Sequence, residues 1–560
     1  MKKTTIFISE TAGKSKLYIL VLIIMQILLG ASGVFYATLL RNIIDSAVSH
    51  NKDRMITNSV IFVFLVAGQI SVKAVIRFTE ELTRSSCENS FKKKLFSDLL
   101  FGDYSRVTSK HSGEWLNRLT SDTVVVADGL ANIIPGVAGM FTKMAGALIM
   151  ILIIEPKFCF ILIPGGALFI VLTYTFRRRL KKLHKQMQEK DGNVRIFLQE
   201  HLSSLVVLKV FGKEQNSLEY ADLKMNEHKN ARMSKNRFSN ICNIGFGTVM
   251  NGAYVLGAVY SAFGIYNGTM SYGTFTALLQ LISQIQNPFA NITGYFPKYF
   301  AMTASAERLM EAQSYSNISD NVLTAEQSKE IYEKQLKSIS FSNVSFSYES
   351  KEDFSPILDN ISFDIKKGEY IAVTGTSGCG KSTMLKILMG LYHSQSGKTE
   401  VFLENGDKIP LDKLRRLFAY VPQGNYLMSG TIRDVVTFGQ KSNEEDVINA
   451  INLACGEFVF KLPDGINTML GEKGAGLSEG QMQRIAVARA LYADRPVLIL
   501  DEATSALDEK TEKQLLNNLK NLTDKSVFIV THRPQVFSIC EKQLLFTDNG
   551  IQIKELENNA

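Results

Sequence analysis

Six apolar runs in the first three hundred residues set the strongest limit on what this chain can become. They fall at roughly 17–45, 56–78, 130–154, 157–176, 241–266 and 272–299. A helix needs about 20 apolar residues to cross a bilayer core, and each run reaches that length. Inside lipid the backbone amides must be satisfied within the segment itself, so such runs fold as spanning helices. Only "EPK", Glu155 to Lys157, separates the third from the fourth, and "NGTMSYG" the fifth from the sixth, so both pairs close as tight hairpins. The first run is too long for a cleavable signal peptide and lacks a convincing cleavage site.

The net charge of +8 does not point to nucleic acid, because the basic residues crowd beside the apolar runs. Lys2, Lys3, Lys14 and Lys16 precede the first run. Arg84, Lys92, Lys93, Lys94, Arg106, Lys110 and Arg118 lie between the second and third, and Arg177, Arg178, Arg179, Lys181, Lys182 and Lys185 between the fourth and fifth. The positive-inside rule then makes both termini cytoplasmic. The two basic segments span about fifty and sixty-five residues and are rich in helix formers. They read as helices that run past the membrane and return, each interrupted once, at "SKHSGEWLNRLTSD" and at "LKVFGKEQNS". Six cysteines, at 87, 159, 242, 379, 455 and 540, show neither metal spacing nor a paired framework, which fits a reduced cytosolic face.

After the sixth run a serine- and asparagine-rich stretch reads as a linker over 311–338, dividing a membrane domain (1–310) from a soluble one (339–560). From Ile339, "ISFSNVSFSY" alternates as a half-exposed strand does. "YIAVTGTSGCGKST" then runs strand, glycine turn, helix, the context that a phosphate loop requires. Gly375, Thr376, Ser377, Gly378, Cys379 and Gly380 let backbone N–H groups wrap phosphates, ahead of Lys381, Ser382 and Thr383 at a helix start. Lys381 should reach the β- and γ-phosphates of ATP, and Ser382 should ligate Mg²⁺. The buried strand in "PVLILDEATSALD" ends in Asp501, suited to the Mg²⁺ shell, and Glu502, suited to polarising the attacking water. His532, after the apolar strand of "VFIVTHRP", is placed to contact a γ-phosphate. Gln423 can sense Mg²⁺ and water, and Tyr348 is a candidate to stack on adenine. Cys379 inside the loop makes a thiol reagent a candidate inhibitor.

The order of these elements resembles the ATP-binding-cassette (ABC) transporters over essentially the whole chain. The matching elements are Tyr348, the loop 375–383, Gln423, "LSEGQ" 477–481, "LILDE" 498–502, "SALD" 505–508 and His532. The resemblance implies an α-helical six-span domain of the exporter type with long intracellular helices. An α/β P-loop NTPase domain with an antiparallel β subdomain and a helical subdomain follows it. By the same resemblance, Ser478, Gly480 and Gln481 serve the ATP held by a second chain, so the polypeptide is a half-transporter whose ATP sites form head to tail between two copies. The two interruptions become coupling helices. One, near His111 to Arg118, would touch the nucleotide domains, and one, near Val210 to Glu214, would dock in the partner's domain beside Gln423. "GEKGAG", Gly471 to Gly476, resembles the loop that senses this docking.

The signature turn departs from the family's usual Leu-Ser-Gly-Gly-Gln at Glu479. A solvent-facing substitution without consequence is the favoured reading. The alternative places Glu479 in the weakened site of a heterodimer. A homodimer is slightly favoured, since Glu502 and His532 are retained. The transported molecule is expected to be an amphipathic small molecule, lipid or peptide. Only about sixteen residues precede the first run, which disfavours peptide exporters with a leader-trimming domain. The middles of the runs lack acidic residues, against a proton relay or a cation pocket. Lys143 would favour an anionic headgroup if it faces a cavity, and otherwise snorkels. Tyr254, Tyr260, Phe263, Tyr295 and Phe296 are cavity or interface candidates. An importer on the same scaffold and an ATP-gated regulator are the alternatives. The six runs exclude a soluble cassette ATPase acting on DNA or ribosomes. The build fits a bacterial plasma membrane.

Overall fold

The computed structural model describes residues 2–315, 322–348, 356–424, 427–471, 474, 476–522, 524–547 and 550–556. Residues 2, 159, 161–163, 165, 167–170, 172, 173, 177, 287, 289–293 and 296 are described by their backbone alone. The side chain of Phe296 and the whole of Glu472, Lys473 and Ala475 therefore lie outside the described residues. The chain forms two compact units, one of residues 1–100 with 111–314 and one of residues 101–110 with 315–560.

The first ten helices run α1 (Lys2–Ala12), α2 (Ser15–Val48), α3 (Lys52–Leu100), α4 (Tyr104–Thr108), α5 (Ser112–Asn117), α6 (Thr123–Ile154), α7 (Cys159–Ser203), α8 (Leu205–Val210), α9 (Glu214–Tyr266) and α10 (Tyr272–Gln313). All but α4 belong to the first unit. Among the described residues α2, α3, the rod from α5 through α6, and α9 are long and apolar enough to cross a membrane. α7 and α10 extend over 45 and 42 residues. The 53 residues of α9 make a rod of about 80 Å at 1.5 Å per residue, against a bilayer core of about 30 Å. α2 packs on α3, α6 and α10, whereas α7 pairs with α9. Small residues allow the closest crossings. A Cβ on Gly30 of α2 would lie 2.8 Å from the Gly139 carbonyl of α6.

The first interruption differs from expectation. The residues that join the second unit are 101–110, just upstream of the expected His111–Arg118. Asp103 caps α4 by accepting from the Ser105 and Arg106 amides, Tyr104 packs on Tyr392, and the Asp103 amide donates to the Tyr315 carbonyl. Arg118 is unavailable for an outward contact because it is only 3% exposed. It starts a π-turn, Arg118–Asp122, and donates to Glu114 and Glu311 and to the Arg308 carbonyl. Asp122 accepts from Ser305 and Arg308, so the base of α6 is tied to the end of α10.

The second unit continues through α11 (Ala325–Lys334), β1 (Leu336–Phe346), β2 (Leu358–Lys366), β3 (Tyr370–Gly375), α12 (Lys381–Leu388), β4 (Ser396–Leu403), β5 (Lys408–Pro410) and β6 (Phe418–Val421). β7 (Gly430–Thr431), α13 (Ile432–Thr437), α14 (Glu444–Leu453), β8 (Met469–Leu470) and α15 (Glu479–Tyr492) follow. β9 (Val497–Asp501), α16 (Glu509–Lys520), β10 (Ser526–Val530), β11 (Lys542–Thr547) and β12 (Gly550–Glu555) complete it. α11 lies within the stretch read as a linker, closed by a Thr324–Gln327 capping box.

The central sheet runs β12-β11-β3-β10-β9-β6, parallel except for β12, beside an antiparallel sheet β2-β1-β4-β5. β9 and β10 are buried along their whole length, which explains their unbroken apolar runs. Alternate residues enter two cores. Ile371, Val373, Ile499 and Phe528 meet the antiparallel sheet and α12, while Ala372, Leu498, Leu500 and Ile529 meet the helical part that contains α15.

Candidate nucleotide site

In an open parallel sheet, ligands gather beyond the carboxyl ends of the strands. β3, β6, β9 and β10 lead there into Gly375, Gln423, Glu502 and His532, residues far apart in the sequence. The loop after β3 is shaped by glycines at three positive φ values, 145° at Gly375, 86° at Gly378 and 97° at Gly380. Gly375 also has no room for a side chain, since a Cβ would lie 2.7 Å from Phe546. Lys381 begins α12 and folds back over the loop, its Nζ donating to the Gly375 and Thr376 carbonyls at 2.7 and 2.8 Å. The Cys379 Sγ lies 3.8 Å from the same ammonium. Tyr348, 53% exposed, sits just past β1 with its hydroxyl 2.9 Å from Thr383 Oγ1 and its ring against Phe346 and Tyr392.

Asp501 is buried at the end of β9. Its carboxylate accepts from Tyr420 at 3.1 Å and lies 3.5 Å from Ser382 Oγ. Burial pushes its pKa above the ordinary carboxylate value, and the Glu502 charge adds to this. Bonds from Tyr420 and Ser382 and the charge of Lys381 offset part of the rise. Glu502 has the left-handed backbone that a non-glycine residue rarely adopts, at φ 53°, held by its amide donating to the Val530 carbonyl. Its carboxylate accepts from Gln423 Nε2 at 2.7 Å. His532 is exposed immediately after Thr531, whose amide bonds Val373 of β3.

The signature turn belongs to the other core. Ser478 caps α15 in a reciprocal box with Gln481, and Glu479 takes the first helical position. Gly480 is required by a close approach, because a Cβ there would lie 2.7 Å from the Ala506 carbonyl. Gln483 reinforces that contact, bonding Ser505 Oγ and the Ala506 amide. Among the described residues, no hydrogen bond of Ser478 or Gln481 reaches the 375–383 loop.

Three participants carry no local sequence signal. Tyr420 reaches Asp501 only because β6 lies beside β9. Gln483 holds the 505–506 turn. Arg533 pins the same turn, donating to the Ser505 and Leu507 carbonyls and to the buried Glu512.

Residues 19–289 match the family model described as the ABC transporter transmembrane region, and residues 358–505 match the one described as ABC transporter. A putative export ATP-binding/permease protein of Rickettsia bellii is 26% identical over 551 residues, covering 95% of this chain and 92% of that protein. An ATP-dependent lipid A-core flippase of Vibrio vulnificus is 26% identical over 543 residues, covering 95% and 90%. A bacterial Atm1-family ABC exporter solved with ATP bound superposes with a TM-score of 0.80 at 20% identity, covering 96% and 95%. With a phosphate loop after β3 and helices long enough to span a membrane, the chain belongs to the ABC transporters: an exporter-type multi-pass membrane region followed by a nucleotide-binding ATPase that drives transport.

Proposed function

We propose that the chain is one half of a homodimeric exporter that moves an amphipathic molecule out of the cell by alternating access, driven by ATP hydrolysed between the two nucleotide domains. The loop N–H groups of Gly375 to Thr383 and the α12 terminus hold the phosphates, Lys381 neutralises them, and Tyr348 stacks on adenine. Ser382, Asp501 and Gln423 hold Mg²⁺. They are hard oxygen donors, and a buried carboxylate beside a hydroxyl is satisfied by such a cation. When bound, Mg²⁺ draws off charge from the phosphate oxygens. Glu502, steadied by Gln423, orients the attacking water, and His532 contacts the γ-phosphate. Ser478, Gly480 and Gln481 of the second chain donate from the other side.

The observation that carries this reading is the internal one-sidedness of the site. The phosphate loop has its cation and its carboxylates, while among the described residues the second anion-seeking helix terminus of the chain bonds only within its own core. A further support is the tip at α8, where Val206 and Val210 are each 76% exposed and Phe211 70%. Apolar groups so exposed call for a covering surface. Met428 and Met469, exposed near Gln423 and Gly471, offer one on the second chain. The basic segments beside the runs support cytoplasmic termini. The bacterial relatives named for export and for lipid A-core flipping support outward movement of an amphiphile across a bacterial plasma membrane.

Mixing subunits tests the arrangement. Chains carrying Lys381→Ala and chains carrying Gly480→Asp should each be inactive alone in lipid. Co-assembled, they place both lesions in one site and leave the other intact, so about a fraction of wild-type turnover should return, abolished again by adding Glu502→Gln to both chains. No recovery from confirmed mixed dimers would refute sites shared between copies.

A further inference from the structure

We infer that Tyr420 is a positioning residue that sets which divalent cation the nucleotide site prefers: its hydroxyl holds the Asp501 carboxylate in one orientation, and that orientation favours Mg²⁺ over a larger ion. This rests on the Mg²⁺ site proposed above and deepens it. The placement comes from the register of two strands. β6 pairs parallel with β9 so that Tyr420 lies opposite Ile499 and Val421 opposite Leu500. Side chains alternate along a strand, so Tyr420, Ile499 and Asp501 share one face, the face that packs on α12. A slip of one residue would turn the phenol toward the other core.

From that face the phenol donates to Asp501 Oδ2 at 3.1 Å. Ser382 Oγ, from the second position of α12, lies 3.5 Å from the same oxygen. Among the described residues no hydrogen bond falls on Oδ1. The carboxylate is therefore held asymmetrically, with one oxygen engaged twice. Three residues on, Gln423 Nε2 donates to Glu502 at 2.7 Å, so the short segment 420–423 steadies both neighbouring acids. Packing alone does not account for a tyrosine here. Its ring is partly buried against the same core as Phe418, and a phenylalanine would fill that space. The hydroxyl is aimed at a carboxylate only 3% exposed, where a bond to a charged group counts for more than one between neutral groups. Cations differ in how far such orientation matters. Mg²⁺ demands near-ideal octahedral geometry at about 2.0–2.1 Å, whereas Ca²⁺ takes about six to eight oxygens at about 2.3–2.6 Å in flexible arrangements. A carboxylate free to rotate thus loses Mg²⁺ first.

The test uses the full chain in nanodiscs with a non-hydrolysable fluorescent ATP analogue, titrated with Mg²⁺ and, in a separate arm, with Ca²⁺. Affinity for the analogue without divalent cation is measured first, as the check that the loop is folded. Tyr420→Phe is expected to leave that affinity within about twofold. It should raise the half-saturating Mg²⁺ concentration roughly tenfold and that of Ca²⁺ by no more than about twofold. Phe418→Leu, which alters packing on the same face and touches no carboxylate, is the control that leaves both unchanged. Tyr420→Met, which also lacks a donor, replaces the phenylalanine variant if that one fails to bind the analogue without cation, with the same expectation. Equal losses for the two cations, or no loss for either, overturn the inference. Asp501→Asn separates this inference from its foundation, since it should weaken Mg²⁺ by more than Tyr420→Phe does. If Asp501→Asn responds to Mg²⁺ as the parent does, the Mg²⁺ site itself is refuted. If it loses Mg²⁺ while Tyr420→Phe keeps the parent's preference, only the role of Tyr420 falls.

Discussion

The loop at 375–383 and the turn at 477–481 both carry glycines at the start of a helix, yet they are built on opposite plans. In the first, left-handed glycines bend the backbone, and Lys381 folds back onto its carbonyls. In the second, Gly480 is helical and its smallness serves a crossing with Ala506. The Ser478–Gln481 box makes that helix terminus rigid before any ligand arrives, and among the described residues no cation stands at its first turn. On the proposed reading, one turn wraps an anion and the other presents a finished surface to one. A sequence can therefore repeat a residue type at two helix starts and mean different physics by it.

The largest expected effect breaks the wrapping loop. Lys381→Ala should lower turnover by about 100-fold or more and weaken ATP binding by the isolated protein, measured by fluorescent-nucleotide titration. A variant that binds ATP normally would deny the loop its distinct role. Next, Gly480→Ala drives a methyl against the Ala506 carbonyl, at a cost of about 1–3 kcal/mol. Turnover should drop by about tenfold while nucleotide affinity of the lone chain stays within about twofold. An equal loss in both would make the second turn part of the same-chain site.

Smaller in size is a pH effect confined to the wrapping side. Burial holds the Asp501 carboxyl above its ordinary range. The protonated form is therefore favoured by folding, and this stabilisation is complete below the ordinary carboxylate pKa and lost as pH rises through the raised value. With Asp501 in the proposed Mg²⁺ site, the cation would compete with that proton. Its apparent affinity in the presence of ATP should weaken as pH falls through the raised value toward the ordinary one, and Asp501→Asn should flatten the profile in a Mg²⁺ titration. Persistence of the slope in that variant would assign the proton elsewhere. The smallest change is expected from Glu479→Gly, with turnover within about threefold of the parent. A much larger gain would show that the carboxylate at the presenting turn restrains the machine.

Contiguous chemistry was legible in the sequence because a strand, a turn and a helix that touch one phosphate are neighbours along the chain. The loop after β3 and the acids after β9 are of this kind. Tyr420 was not, since its bond to Asp501 depends on β6 lying beside β9 across a long connection. The place of residues 101–110 in the second unit was not legible either, because Asp103 meets Tyr315 and Tyr104 meets Tyr392, partners distant along the chain. Arg118 is absorbed by Glu114 and Glu311, and Glu311 lies nearly two hundred residues away. The helix at Ala325–Lys334 was hidden by its polar composition, although Thr324 and Gln327 spell a capping box.

The left-handed backbone at Glu502 has a consequence for how such chains diverge. Asparagine, aspartate and glycine occupy that region at lower cost than glutamate. Each of them shortens or removes the carboxylate that meets Gln423. With the role proposed for Glu502, drift at this position after gene duplication is thus downhill for the fold and uphill for hydrolysis. A copy freed from selection slides toward an inactive site without unfolding, and selection for turnover must be continuous to hold glutamate there.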